Sequence, residues 1–226
     1  MSWQYWADFY DTSLSSLNLQ ARGGARRVLV QFTSKERDRL HELCRRARVK
    51  VKGCPRLRGS PLKIIGFKDD FENGYPHTHS DTIFLSCPKF FTIPESEQLS
   101  ILIHEWIHVY QRKYPIPFHK YLFEVKGLKM VGLISTHPDY LSVRRNPDVN
   151  DVIYSSQEGA FSLPLLQKDA QSLGDVRTGH YESNGVRSSI SPSTPSAEHP
   201  FETVAYNLSE AILSGDLDPK IAVRYF

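Results

Sequence analysis

Residues 101–110 read "ILIHEWIHVY". His104 and His108, with Glu105 between them, interrupt an otherwise apolar run. On a helix, side chains four apart stand on one face, a turn above one another. The two imidazoles therefore point the same way, at a spacing that offers two neighbouring corners of a tetrahedral zinc ion. Glu105 follows the first histidine on a different heading. There it can hold and deprotonate a water activated by the metal rather than bind the metal itself. Leu99, Leu102, Ile103, Trp106 and Tyr110 supply the apolar surface that buries such a helix. The plainer alternative is a buried helix with two satisfied histidines.

The flanks support a helix over 94–113. Pro94 suits a first turn, Glu95 and Glu97 suit the positive end of the dipole, Lys113 suits the far end, and Pro115 and Pro117 stop it. Upstream, "LKIIGF" (62–67) and "DTIFLSC" (81–87) read as strands around a loop at 69–79. Earlier still, "VLVQF" (28–32) is a short strand candidate, and 33–48 reads as a helix capped by Thr33 or Ser34. Residues 1–24 read as an arm. Downstream, 119–135 reads as a helix, 136–160 as irregular with a short strand near "DVIY", and 171–197 as a long loop rich in Ser, Gly and Pro. A second well-marked helix spans 199–215, with Pro200 at its start and Gly215 at its C-cap. The sequence thus predicts an α+β fold. A small mixed sheet from 28–87 packs on the helix of His104, Glu105 and His108, and a C-terminal helix completes the site. Two regions are expected, a basic helical or arm region at 1–60 and a catalytic unit at 61–226, or else one continuous domain.

A catalytic zinc site takes three protein ligands and keeps one position open. The helix at 199–215 offers Glu202, with the small Ala205 three residues on to let two helices approach closely. Glu198, His199 and Glu210 compete for the role, and an acid at a helix N-terminus is also stabilised by the dipole alone. Tyr206, Tyr154, His180 and His199 are candidates to steady an oxyanion. Asp148 and Asp151 are candidates to orient an imidazole. His77 and His79 form an H-x-H that reads as polar rim groups, with a second metal site as the alternative.

An H-E-x-x-H helix followed by an E-x-x-A helix resembles the gluzincin-type zinc metallopeptidases. It also looks like small, poorly characterised metallopeptidases of bacteria and large DNA viruses, which makes a virus-encoded origin an expectation. The resemblance implies a zincin-like fold with His104, His108 and Glu202 as ligands of Zn2+ and Glu105 as general base; among the oxyanion candidates, Tyr206 is taken as the catalytic partner. It covers about 62–113 and 198–215. It implies a peptide or protein substrate, bound by strand addition along "HTHSDTIFLS" (77–86). The longer H-E-x-x-H-x-x-G-x-x-H pattern is absent, since Gln111 and Tyr114 stand at its later positions.

Charge is unevenly spread. Residues 22–63 hold fourteen Lys/Arg against three acids, +11, so the remainder of a chain with net charge +3 carries −8. A basic block of this kind can touch nucleic acid, or it can be a solvated helix face. The alternative function is therefore a nucleic-acid-associated protein, with the zinc structural or serving a protease that acts on DNA-bound proteins. Three cysteines, Cys44, Cys54 and Cys87, form no C-x-x-C pair, which argues against a disulfide framework or zinc ribbon. No apolar run reaches the roughly 20 residues that span a bilayer, and the first residues lack a signal-peptide pattern. An intracellular setting is the expectation. The segment 182–200 is expected to cover the cleft.

Overall fold

In a computed structural model, residues 16–21, 28–68, 71–87, 89–172, 174–193 and 199–226 are described. The class is α+β, built on two small sheets. The first part of the chain gives α1 (Ser16–Ala21), β1 (Leu29–Val30), α2 (Ser34–Lys50) and the short α3 (Pro55–Arg58). Thr33 caps α2 through a reciprocal capping box with Glu36. Then come β2 (Lys63–Phe67), β3 (His77–His79), β4 (Thr82–Ser86) and α4 (Lys89–Thr92).

The first sheet is mixed, in the order β1-β2-β4-β3. β2 and β4 run parallel, with Lys63 opposite Thr82 and Phe67 opposite Ser86. β3 turns back on β4 across Ser80 and Asp81, with Ser80 in the left-handed region at φ 56°. β4 lies between neighbours on both sides and is buried along its whole length. That explains its unbroken apolar run. The loop expected at 69–79 therefore ends in a strand.

α5 (Glu95–Lys113) carries the two histidines and follows the sequence reading within one residue. It is the hub of the core. Trp106 and Tyr110 are fully buried, and Leu40, Leu43, Ala47, Val51 and Leu57 lie in the same cluster. Pro115 does end α5, but it also opens α6 (Pro115–Glu124). The helix expected over 119–135 is thus shifted and cut short. Gly127, at φ 67°, takes the left-handed position after α6, and Leu128 N–H closes back on the Leu122 carbonyl. This is a helix stop that only glycine adopts without strain.

The chain then builds a second sheet, an antiparallel meander in sequence order: β5 (Lys129–Leu133), β6 (Val152–Ser155), β7 (Phe161–Leu166), β8 (Val176–Tyr181) and β9 (Arg187–Pro192). The long loop expected at 171–197 is thus mostly a hairpin, turned at Asn184–Gly185 with Gly185 at φ 79°. β9 is largely exposed, so nothing apolar marks it in the sequence. α1 anchors here: Asn18 donates to the Val143 carbonyl at 3.0 Å and accepts from Arg145 N–H at 2.8 Å. α7 (Pro200–Ser214) and α8 (Pro219–Tyr225) close the fold. No helix among the described residues is long and apolar enough to cross a membrane.

Candidate metal centre

α5 and α7 pack side by side, and Ala205 is fully buried at the level of the site. The contact brings His104, His108 and Glu202 together. Their donor atoms all lie within 4.8 Å of one another. The two Nε2 atoms are 3.0 Å apart. His104 Nε2 lies 3.3 Å from Glu202 Oε2, and His108 Nε2 lies 3.5 Å from Oε1. Donors on a tetrahedral zinc with ~2.05 Å bonds sit about 3.3 Å apart, so the spacing and the N, N, O donor set fit that ion. Among the described residues this is the one cluster of three or more His, Cys, Asp or Glu side chains that could share a metal.

Two of the three donors are aimed by a neighbour outside the cluster. His108 Nδ1–H donates to Gln111 Oε1 at 2.8 Å, which leaves Nε2 with its lone pair toward the cluster. Gln111 in turn donates to the Phe201 carbonyl at 3.0 Å and so ties α5 to α7. Asn146 donates to Glu202 Oε1 at 2.8 Å. The sequence reading passed over both residues. Gln111 carried a signal: it lies three positions after His108, on the same helix face. Asn146 carried none, since it reaches the site from an irregular segment.

Burial sets the electrostatics. Burial alone would raise the Glu202 pKa, but the His108 and His104 rings hold it well below the usual carboxylate range. Burial likewise pushes the His108 imidazole down, and the Glu202 carboxylate more than reverses this, so its pKa is raised. Glu105 goes the other way. Burial, then the charges of Asp148 and Glu202, push its pKa well above 4.5, with Arg112 offsetting part. Glu105 Oε2 is buried with no hydrogen-bond partner. A divalent cation beside it would favour the ionised carboxylate again.

Glu105 lines a cavity of about 370 Å³ together with His104, Glu202, Tyr206, His77 and Asp148. Tyr206 is half-exposed, and its ring centroid sits 4.5 Å from that of His104. The other oxyanion candidates are engaged elsewhere. Tyr154 OH meets His119 Nε2 at 3.0 Å, and His180 is held between Ser162 and Ser191. His199 caps α7: Nδ1 accepts from Phe201 N–H, and Nε2–H donates to the Val152 carbonyl. Both of its nitrogens are used, which removes His199 as a competing ligand. Burial drives its pKa down to about 4. Glu210 is exposed and outside the cluster, and Glu198 lies outside the described residues.

Two further expectations need correction. Asp151 pairs with Arg145 and Ser135, and Asp148 Oδ1 accepts from the Thr78 N–H and hydroxyl, so these bonds hold a guanidinium, an amide and two hydroxyls and not an imidazole. Among the described residues, His77 and His79 join no group of three or more side chains that could share a metal. His77 is buried, stacked on Phe84 at 5.3 Å, and donates Nδ1–H to the Tyr75 carbonyl. Of the segment expected to cover the cleft, Ser193 lines the cavity, 187–192 form β9, and 194–198 lie outside the described residues.

The basic segment has internal work. Arg39 and Arg46 both pair with Glu95 at the start of α5, and the Arg48 guanidinium sits 5.6 Å from the Trp106 ring. Lys50 donates to the Leu213 carbonyl at 2.8 Å, and Arg56 to the Arg224 carbonyl at 2.8 Å, at the C-terminal ends of α7 and α8. Comparison of the chain with protein-family models, with curated proteins and with solved structures finds no match.

Proposed function

We propose that this protein is a zinc-dependent metallopeptidase of zincin-like design. The observation that carries the reading is the orphaned carboxylate oxygen of Glu105, buried in the cavity beside a His, His, Glu donor set of metal-binding dimensions. His104, His108 and Glu202 would hold a zinc ion, which would supply Lewis acidity toward an amide carbonyl and a water. Glu105 takes the water's proton and passes it to the leaving amine. Gln111 and Asn146 keep His108 and Glu202 aimed, which removes reorganisation from the reaction. Tyr206, on the cavity wall against His104, is the hydroxyl that steadies the developing oxyanion. The nucleic-acid reading draws less support, because so much of the basic segment is spent on helix ends and on Glu95.

Elemental mass spectrometry on the wild type, His104→Ala and Glu202→Ala, paired with a peptide-library cleavage assay, tests the proposal. One zinc per chain, lost in both variants, with cleavage by the wild type, is the expected outcome. A wild type that holds no zinc after reconstitution sinks it.

A further inference from the structure

Strand addition needs a free sheet edge with alternate N–H groups pointing outward. β3 is the edge strand beside α5, so an extended substrate would pair there. Residues 76, 78 and 80 share the outward side of that edge, because His77 and His79 pair inward with Phe84 and Thr82. None of the three offers a usable donor. Pro76 has no N–H. The Thr78 N–H is given to Asp148 Oδ1, and its hydroxyl donates to the same oxygen at 2.8 Å. Ser80 has left the strand, at φ 56°.

The block is braced. Arg112, on α5, donates to the Thr78 hydroxyl and to the Pro147 carbonyl. It therefore clamps the 146–148 segment onto the edge, with Thr78 fully buried beneath. The same segment carries Asn146, which aims Glu202, so it cannot swing away without disturbing the centre. The second sheet bounds the cavity on another side through Val176 at the start of β8, with Gly174 in the turn before it. At about 370 Å³ the space lies near the lower end of the roughly 300–1,000 Å³ of small-ligand sites.

From this closed edge and small cavity we infer that the centre takes the end of a chain or a short compound, and not the interior of an extended polypeptide. Asp148 is the specificity-determining residue, since it occupies the one donor that a substrate strand would use. The inference rests on the metallopeptidase reading.

Phosphinic pseudo-peptides, in which a tetrahedral phosphinate replaces one amide, separate the cases. The zinc-loaded protein is titrated calorimetrically with a free-ended pseudo-dipeptide and with an end-blocked pseudo-hexapeptide of the same central residues. The dipeptide is expected to bind at least about tenfold tighter, a difference of ~1.4 kcal/mol. Equal or tighter binding of the hexapeptide overturns the inference and leaves the metallopeptidase reading standing. Binding of neither, by protein shown to hold zinc, overturns both. Asp148→Ala frees the Thr78 N–H and is expected to narrow the gap. Should that variant fail to fold, the wild-type comparison decides alone.

Discussion

Replacing Gln111 by leucine removes two bonds with one change of similar volume. His108 Nδ1–H loses its 2.8 Å acceptor, and the Phe201 carbonyl loses its 3.0 Å donor. Both partners are buried. A buried polar group left unpaired costs about 1–3 kcal/mol, so the metal-free fold should lose roughly 2–5 kcal/mol, read as a shift of the urea midpoint. Metal affinity should fall separately. Loss of a bond that orients a ligating histidine typically costs about 10–100-fold, or ~1.4–2.7 kcal/mol. Competition with a chromophoric chelator measures it. Gln111→Glu restores an acceptor for His108 and should recover affinity, but not the tie to Phe201. If Gln111→Leu binds zinc as tightly as the wild type while the urea midpoint drops, the bond to His108 orients nothing. Gln111 would then be only a strut between α5 and α7.

Glu105→Gln should keep its zinc and lose about 10²–10⁴-fold in turnover, the usual worth of a positioned general base; full activity would remove Glu105 from the chemistry. His199 gives a pH signature. Its pKa of about 4 lies below the ordinary 6.5, with the Val152 carbonyl, Glu202, His108 and Arg145 around it. The unfolded chain takes up the proton first, so the stability of the neutral ring is intact above pH 6.5 and lost as pH falls toward 4. Over that window the loss is about 3 kcal/mol. His199→Asn keeps a cap for α7 and should flatten the pH dependence of the unfolding free energy; an unchanged slope would rule this group out. Arg56→Ala should cost about 1 kcal/mol of stability, by uncapping α8, with DNA affinity at low salt unchanged. A drop in DNA binding with the fold intact would revive the nucleic-acid reading.

Helix periodicity and end signals carried α5 and α7 almost to the residue, because each starts at a proline and is stopped by proline or glycine; α7 buries one face, while α5 is buried all round from Glu105 to Gln111. β2 and β4 were readable for a related reason, as apolar runs between turn residues. The second sheet was not. β5 is exposed on both faces and followed a helix whose stop, Gly127, reads as a tolerated glycine without its φ. β9 is Ser-rich and solvent-facing, so pairing with β8, not burial, makes it a strand. The same divide holds at the site. His104, Glu105 and His108 sit on one periodic helix and could be named from spacing, whereas spacing left Glu202 in competition with Glu198, His199 and Glu210. Asn146, Asp148 and Thr78 act through tertiary contacts that no local pattern encodes.

The centre is also a clock for folding. His108 and Glu202 stand 94 positions apart, and β5 to β9 lie between them. An intermediate with α5 formed but α7 undocked holds two neighbouring histidines and no carboxylate. It would grip a metal weakly, because closing so long a loop costs entropy that the missing bond does not return. Tight metal retention thus marks the last step of assembly. Amide exchange in α7 should slow on metal addition, while exchange in β2 and β4 should barely change.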